Sequence, residues 1–191
     1  MFIVITGLDG SGTSSIAKGL HELDGGSELF KTPGPEFSDR DKIDDVIRKE
    51  SSIGHMLYYL SSTVYMSDYI KNHCDIEENN IYVVRYLIDT VVSNRVAGID
   101  IDLDYNIYGN QLLVPDLTLF IHTNEDIRER RISDRGKSEL DKVLDDIEKR
   151  KRFLLEYKRL LTDDTIYVDN SSTDLNQTIE NTYNKIKVYT K

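Results

Sequence analysis

Short runs of consecutive apolar residues alternate along the chain with longer stretches in which apolar residues recur every three or four positions. Phe2-Ile3-Val4-Ile5 is apolar without interruption, as a strand buried on both faces requires, and Ile16, Leu20 and Leu23 then recur at helical spacing. Leu29-Phe30 reads as a second, shorter strand, closed by Thr32-Pro33-Gly34-Pro35, where regular structure must stop. Residues 41–49 predict a short polar helix. Residues 52–70 predict a longer one, with Ile53, Met56, Leu57, Leu60, Val64 and Tyr65 as its inward stripe. Ile81-Tyr82-Val83-Val84 is the next buried strand, followed by a helical pattern through Ile88, Val91, Val92 and Val96. Leu117 to Ile121 forms a strand opened by Pro115-Asp116, and Thr123-Asn124-Glu125-Asp126 carries the capping and acidic residues of a helix start. Ser138-Glu139-Leu140-Asp141 has the form of a capping box before a long helix with Leu140, Val143, Leu144, Ile147, Leu154 and Leu155. Residues 165–168 supply the last strand and 174–189 the last helix.

Five strands alternating with helices imply a five-stranded parallel sheet with helices on both faces, an α/β fold in one domain of 191 residues. In such sheets ligands bind beyond the carboxyl ends of the strands. The loop after the first strand and the residues after the third converge at that edge.

Composition narrows the partners. No apolar run approaches the roughly 20 residues of a membrane helix, so a soluble chain without a membrane partner is expected. The chain opens directly on its first strand, without a basic leader or cleavage site, and its single cysteine, Cys74, can make no internal disulfide; both fit a cytoplasmic, reducing setting. Cys74 reads as a helix-end residue. A net charge of -10 argues against a surface for nucleic-acid polymers. A local basic site is still allowed, because Arg128, Arg130, Arg131 and Arg135 cluster within one short segment.

The chemistry-bearing motif is Gly7-Leu8-Asp9-Gly10-Ser11-Gly12-Thr13-Ser14, which fits the phosphate-binding pattern G-x-x-x-x-G-K-[ST] except that Thr13 stands in the lysine position. A glycine-rich turn entering a helix points successive backbone N–H groups at an anion, and the helix dipole adds to the attraction. Gly7, Gly10, Ser11, Gly12, Thr13, Ser14 and Ser15 are therefore candidate phosphate-binding residues, with the Ser14 hydroxyl in the place of the magnesium ligand. The missing element is the cation that reaches the β- and γ-phosphates.

Residues 2–15, with Gly-Leu-Asp-Gly inside the loop, resemble the thymidylate kinase family of P-loop nucleoside monophosphate kinases. Val83-Val84-Arg85-Tyr86 resembles its strand-end Asp-Arg-Tyr, Pro115-Asp116-Leu117-Thr118-Leu119-Phe120 its Pro-Asp-Leu-Thr-Leu strand, and Arg131 to Gly136 with Glu139-Leu140-Asp141 its arginine-rich lid, here near 128–141. The resemblance implies the P-loop kinase fold, ATP and magnesium as cofactors, thymidine monophosphate or a related nucleoside monophosphate as substrate, and a homodimer. It implies that Asp9 meets the sugar hydroxyl of the acceptor, that Arg85 holds the acceptor phosphate, and that Arg131 and Arg135 close over the transferred group. Pro33 would stand in the acceptor-side loop, Tyr59 would stack on the base, and Thr63 would lie at the base edge. Tyr59 as a core residue and the arginines as a solvated helix face are the plainer readings of the same positions.

Departures from the family pattern cluster at this predicted cleft. Thr13 replaces the lysine, Val84 the aspartate before Arg85, Thr63 an arginine at the thymine edge, and Thr32 the acidic residue of Glu-Pro-Gly. The losses at 13 and 84 remove one charge of each sign. Either catalysis has lapsed, leaving a nucleotide-binding pseudokinase, or charge comes from Arg85, Arg131, Arg135 or Lys18. A neutral Thr63 also admits another base or another phosphate acceptor.

Overall fold

Five consecutive buried residues, Phe2–Thr6, form β1 at the centre of the sheet. The computed structural model describes residues 1–39, 42–99, 111–137 and 139–189. After β1 the chain forms α1 (Thr13–Leu23), β2 (Glu28–Lys31), α2 (Ser52–His73), β3 (Ile81–Val84) and α3 (Leu87–Val96). It continues through β4 (Leu117–His122), α4 (Glu125–Arg135), α5 (Glu139–Val143), α6 (Ile147–Leu160), β5 (Ile166–Asp169) and α7 (Leu175–Tyr189). The strand order is β2-β3-β1-β4-β5, and every pairing is parallel. Val4 lies between Val83 of β3 and Thr118 of β4. The order reverses on either side of β1, which opens a crevice at its carboxyl end.

Alternation along β1 divides the core. Phe2 and Val4 face Met56, Leu60 and Ile70 of α2, whereas Ile3 and Ile5 face Ile16 and Leu20 of α1 together with Ile179 and Ile186 of α7. A third apolar cluster, with Val92, Phe120, Leu144 and Tyr157, joins α3 to α6 below the crevice. Burial on both faces explains why the strands read as unbroken apolar runs.

The helices depart from expectation in phase. α2 runs past Ile70 to His73 and ends on Cys74, whose N–H caps the Ile70 carbonyl. Its buried face is Met56, Leu60, Thr63, Ser67 and Ile70, while the expected core residues Ile53, Leu57, Val64 and Tyr65 stand outward. α2 is apolar on more than one side, so spacing alone did not select the sheet-facing stripe. The polar segment before it forms a π-helical turn, Ile43–Ile47, and a short helix, Arg48–Glu50; Asp41, its expected start, lies outside the described residues.

The long helix expected from residue 138 is two helices. Asp146 caps α6 by accepting from the Glu148 and Lys149 N–H groups, at 2.9 and 3.2 Å. That break resets the helical phase, so Ile147, Leu154 and Leu155 are exposed and Tyr157 is buried. Ser138, the expected cap, lies outside the described residues; Asp141 is buried and paired with Arg135 instead.

Candidate functional site

The loop joining β1 to α1 folds by local backbone chemistry. Ser11 N–H donates to Leu8 O at 3.0 Å, and Gly12, with φ 98°, turns the chain into α1. A Cβ on Gly10 would come within 2.9 Å of the Ile132 and Arg128 side chains, and one on Gly12 would lie 2.2 Å from the Asn170 amide. The loop is thus pressed between α4 and the exit of β5. Ser11 is buried, and its hydroxyl has no hydrogen-bond partner among the described residues. A buried hydroxyl without a partner at a helix start is the kind of group an anion can satisfy. Thr13 begins α1 and is buried, while Ser14 and Ser15 are exposed at the helix start.

Helix α4 lays Arg128 and Arg131 over this loop, while Arg135 pairs away from it, each differently compensated. Arg128 is buried, chelates the Glu125 carboxylate and donates to the Asp9 carbonyl at 3.1 Å. Arg135 pairs with Asp141. Arg131 donates to the carbonyls of Ser11 and Asn170, at 3.3 and 3.1 Å, and meets no carboxylate among the described side chains. Burial, reinforced by Arg130, holds its pKa below the ordinary arginine value. Lys18 points away into solvent, paired with Glu22.

Arg85 follows β3 with φ 67°, a left-handed conformation that a non-glycine residue adopts only when its surroundings enforce it. Its N–H donates to Ile5 O, and its carbonyl accepts from the Thr32 hydroxyl at 2.8 Å. The guanidinium bonds Asp9 closely and approaches Asp89 at 3.4 Å. The Asp9 carboxylate, with a smaller contribution from Asp89, raises the arginine's pKa against the effect of burial. Asp89 accepts from Thr6 at 2.7 Å, Tyr157 at 2.9 Å and the Tyr86 N–H at 3.0 Å. Burial pushes its carboxyl above the ordinary value despite Arg85 and these donors.

A cavity of about 430 Å³ opens from this cluster, with Asp9, Arg85, Pro33 and Tyr59 on its wall. Tyr59 donates its hydroxyl to Asp44 at 2.8 Å, and the His55 ring nitrogen lies 2.8 Å from the same carboxylate. Thr63 is buried, donates to the Tyr59 carbonyl and does not line the cavity; Ser62 does. Pro33 also borders a second hollow of about 590 Å³, which Ser14, Val84 and Glu36 line.

Gly7 and Asp9 of the loop therefore converge with Arg85, Pro33 and Tyr59 on one cavity, Ser14 faces the second hollow, and Gly10, Ser11, Gly12, Thr13, Ser15 and Thr63 line neither. The residues that sequence reading missed are Thr6, Asp89, Tyr157 and Asn170. Asp89 left a trace, an acid at the fourth position after Arg85 inside an otherwise apolar helix start. Tyr157 and Asn170 left none, since their partners are distant in sequence.

Ser14 offers a hydroxyl, Val84 offers nothing, and no group of three or more metal-ligating side chains occurs among the described residues. No helix there is long and apolar enough to cross a membrane.

A thymidylate kinase family model matches residues 5–186. The fold is similar to that of thymidylate kinase from Candida albicans, at TM-score 0.71 and 17% identity over 99% of this chain and 92% of that one. It is similar to M. mycoides deoxyadenosine kinase solved with dCMP and dCDP, at TM-score 0.69 and 24% identity over 98% and 100%. Ehrlichia chaffeensis thymidylate kinase gives TM-score 0.70 and 16% identity over 100% and 98%. At these identities the structural likeness is one of fold. No curated protein sequence matches the chain.

Proposed function

The chain belongs to the thymidylate kinase family, and from that premise we propose that it is an ATP- and magnesium-dependent nucleoside monophosphate kinase acting on dTMP or a related nucleotide in the cytoplasm. The observation that carries this reading is Arg131. Of the cations able to replace the lysine absent at Thr13, it alone faces the phosphate loop without a carboxylate partner among the described side chains.

In the proposed reaction an oxygen of the acceptor phosphate attacks the γ-phosphorus of ATP, the new P–O bond forms, and the bond to the β-γ bridging oxygen breaks to release ADP. The loop N–H groups and Ser11 hydroxyl hold the donor phosphates, and Arg131 with Arg135 offsets charge on the group in transit. Arg85 holds the acceptor phosphate, Asp9 its sugar hydroxyl, and Tyr59 with Pro33 its base. Magnesium, when bound with ATP, would shield the phosphate charge, and Ser14 would offer it a hydroxyl. The outward Ile53, Leu57 and Val64 of α2 suit a homodimer face.

A second reading, a pseudokinase that binds nucleotide without transfer, draws on Thr13 and on the buried Val84 where a strand-end carboxylate would help organise the metal. A phosphotransfer assay with ATP, magnesium and a panel of nucleoside monophosphates, run on the native chain and on Thr13→Lys, tests both. Turnover by the native chain on one acceptor is the expected result. Nucleotide binding without turnover across the panel would replace the kinase reading with the pseudokinase.

A further inference from the structure

We infer that Asp89 is a positioning residue, a buried carboxylate that fixes the Arg85 guanidinium while Asp9 serves as its exchangeable partner. The inference rests on the reading of this cavity as an acceptor site.

Two carboxylates hold Arg85, and they differ in what moving them would cost. The Asp89 side chain is 7% exposed, and its oxygens also take the Thr6 hydroxyl, the Tyr157 hydroxyl and the Tyr86 N–H. Withdrawing it would strand buried donors from β1, α6 and the start of α3, each of which would then bear its full desolvation penalty. The Asp9 side chain is 30% exposed, sits in the phosphate loop on the cavity wall, and has Arg85 as its side-chain partner. A carboxylate at that exposure returns to water at low cost. An incoming anion therefore displaces Asp9 from Arg85 and leaves Asp89 in place. Asp9 is then released to accept from a sugar hydroxyl.

The backbone supports the same division of labour. Arg85 sits at φ 67°, tied at its N–H to β1 and at its carbonyl to Thr32. Those bonds fix where the side chain starts; Asp89, one turn into α3, fixes where it ends. With Val84 apolar and buried, the negative charge beside Arg85 comes from Asp9 and Asp89, and of the two Asp89 is the one tied to buried donors. Tyr157 extends the brace into α6, so the helix that follows the lid bears on Arg85.

The test follows the Arg85 side chain directly. In 15N spectra of the full chain, the Arg85 Nε–H resonance, assigned by its loss in Arg85→Lys, is expected to exchange slowly with water in the native protein. Asp89→Asn keeps an oxygen for Thr6, Tyr157 and Arg85 but removes the charge facing Arg85 and sets an amide N–H against the Tyr86 N–H; it should speed that exchange and weaken nucleoside monophosphate binding in calorimetry by on the order of 100-fold, leaving ATP affinity unchanged. Tyr157→Phe should shift both readouts in the same direction by less, and it carries the test should Asp89→Asn fail to fold. A folded variant with native Arg85 exchange and native acceptor affinity would overturn the inference. If the native chain binds no nucleoside monophosphate while Arg85 exchange still depends on Asp89, the positioning role stands and the acceptor reading falls.

Discussion

Arg131 and Asn170 meet over the phosphate loop, where one guanidinium nitrogen donates to the Asn170 carbonyl at 3.1 Å and the other to the Ser11 carbonyl at 3.3 Å. Two carbonyls orient the guanidinium without neutralising it. Its full charge stays available beside a loop that lacks its own cation.

Arg131→Ala should therefore lower kcat by about 100- to 1,000-fold, the usual cost of losing one contact to transition-state charge. Adding Thr13→Lys to that variant should restore part of the loss. Steady-state kinetics on the two variants, with melting temperatures to confirm folding, checks this. An Arg131→Ala enzyme of native kcat would show that the charge comes from elsewhere.

Gly10→Ala tests how tightly α4 is pressed on the loop. Its φ of 85° and the 2.8 to 2.9 Å approach of Ile132 and Arg128 leave no room for a methyl group. The strained conformation alone costs about 1–3 kcal/mol, and the clash adds to it. Urea unfolding should show a lower midpoint, and ATP affinity should fall with it.

Glu125 sets an acid limit on this packing. Burial raises its pKa, but Arg128 and Arg150 outweigh burial and hold it below the ordinary 4.5. The folded state then binds fewer protons than the unfolded one in the interval between their pKa values, so the contribution is complete above 4.5 and is lost as pH falls through the folded value. Glu125→Gln should lower the melting temperature near neutral pH and leave it almost unchanged in strong acid. A parallel shift at every pH would refute this assignment.

Cys74 should be a poor nucleophile in the native chain. Burial, with a smaller effect from Glu28, pushes its thiol up to about 11, so the thiolate is scarce near neutrality. Alkylation followed by mass spectrometry should be slow in buffer and fast in denaturant.

The glycine-rich turn between β1 and α1 was legible in the sequence because its geometry follows from glycines and a helix start within a few residues of each other. The strands were legible because burial on both faces writes an unbroken apolar run. α2 was found but turned wrongly, since Ile53, Leu57 and Val64 carry as much apolar signal on its outer side as Met56 and Leu60 do inside. The break before α6 had a signal in Asp145-Asp146, which the apolar spacing on either side obscured. Thr63 lay at the expected turn of α2, but its hydroxyl is spent on the Tyr59 carbonyl. The brace around Arg85 was out of reach, because Thr6, Asp89 and Tyr157 are brought together only by the fold.

The Asn170 amide donates to the Ser11 carbonyl at 2.8 Å and packs against Gly12, so the loop after β1 is closed by a residue 159 positions further along. On the ribosome the glycine-rich turn emerges long before β5 and waits for the 159 positions that separate Ser11 from Asn170 before this wall arrives. A nascent chain halted before β5 would carry the complete motif and an unfinished nucleotide site.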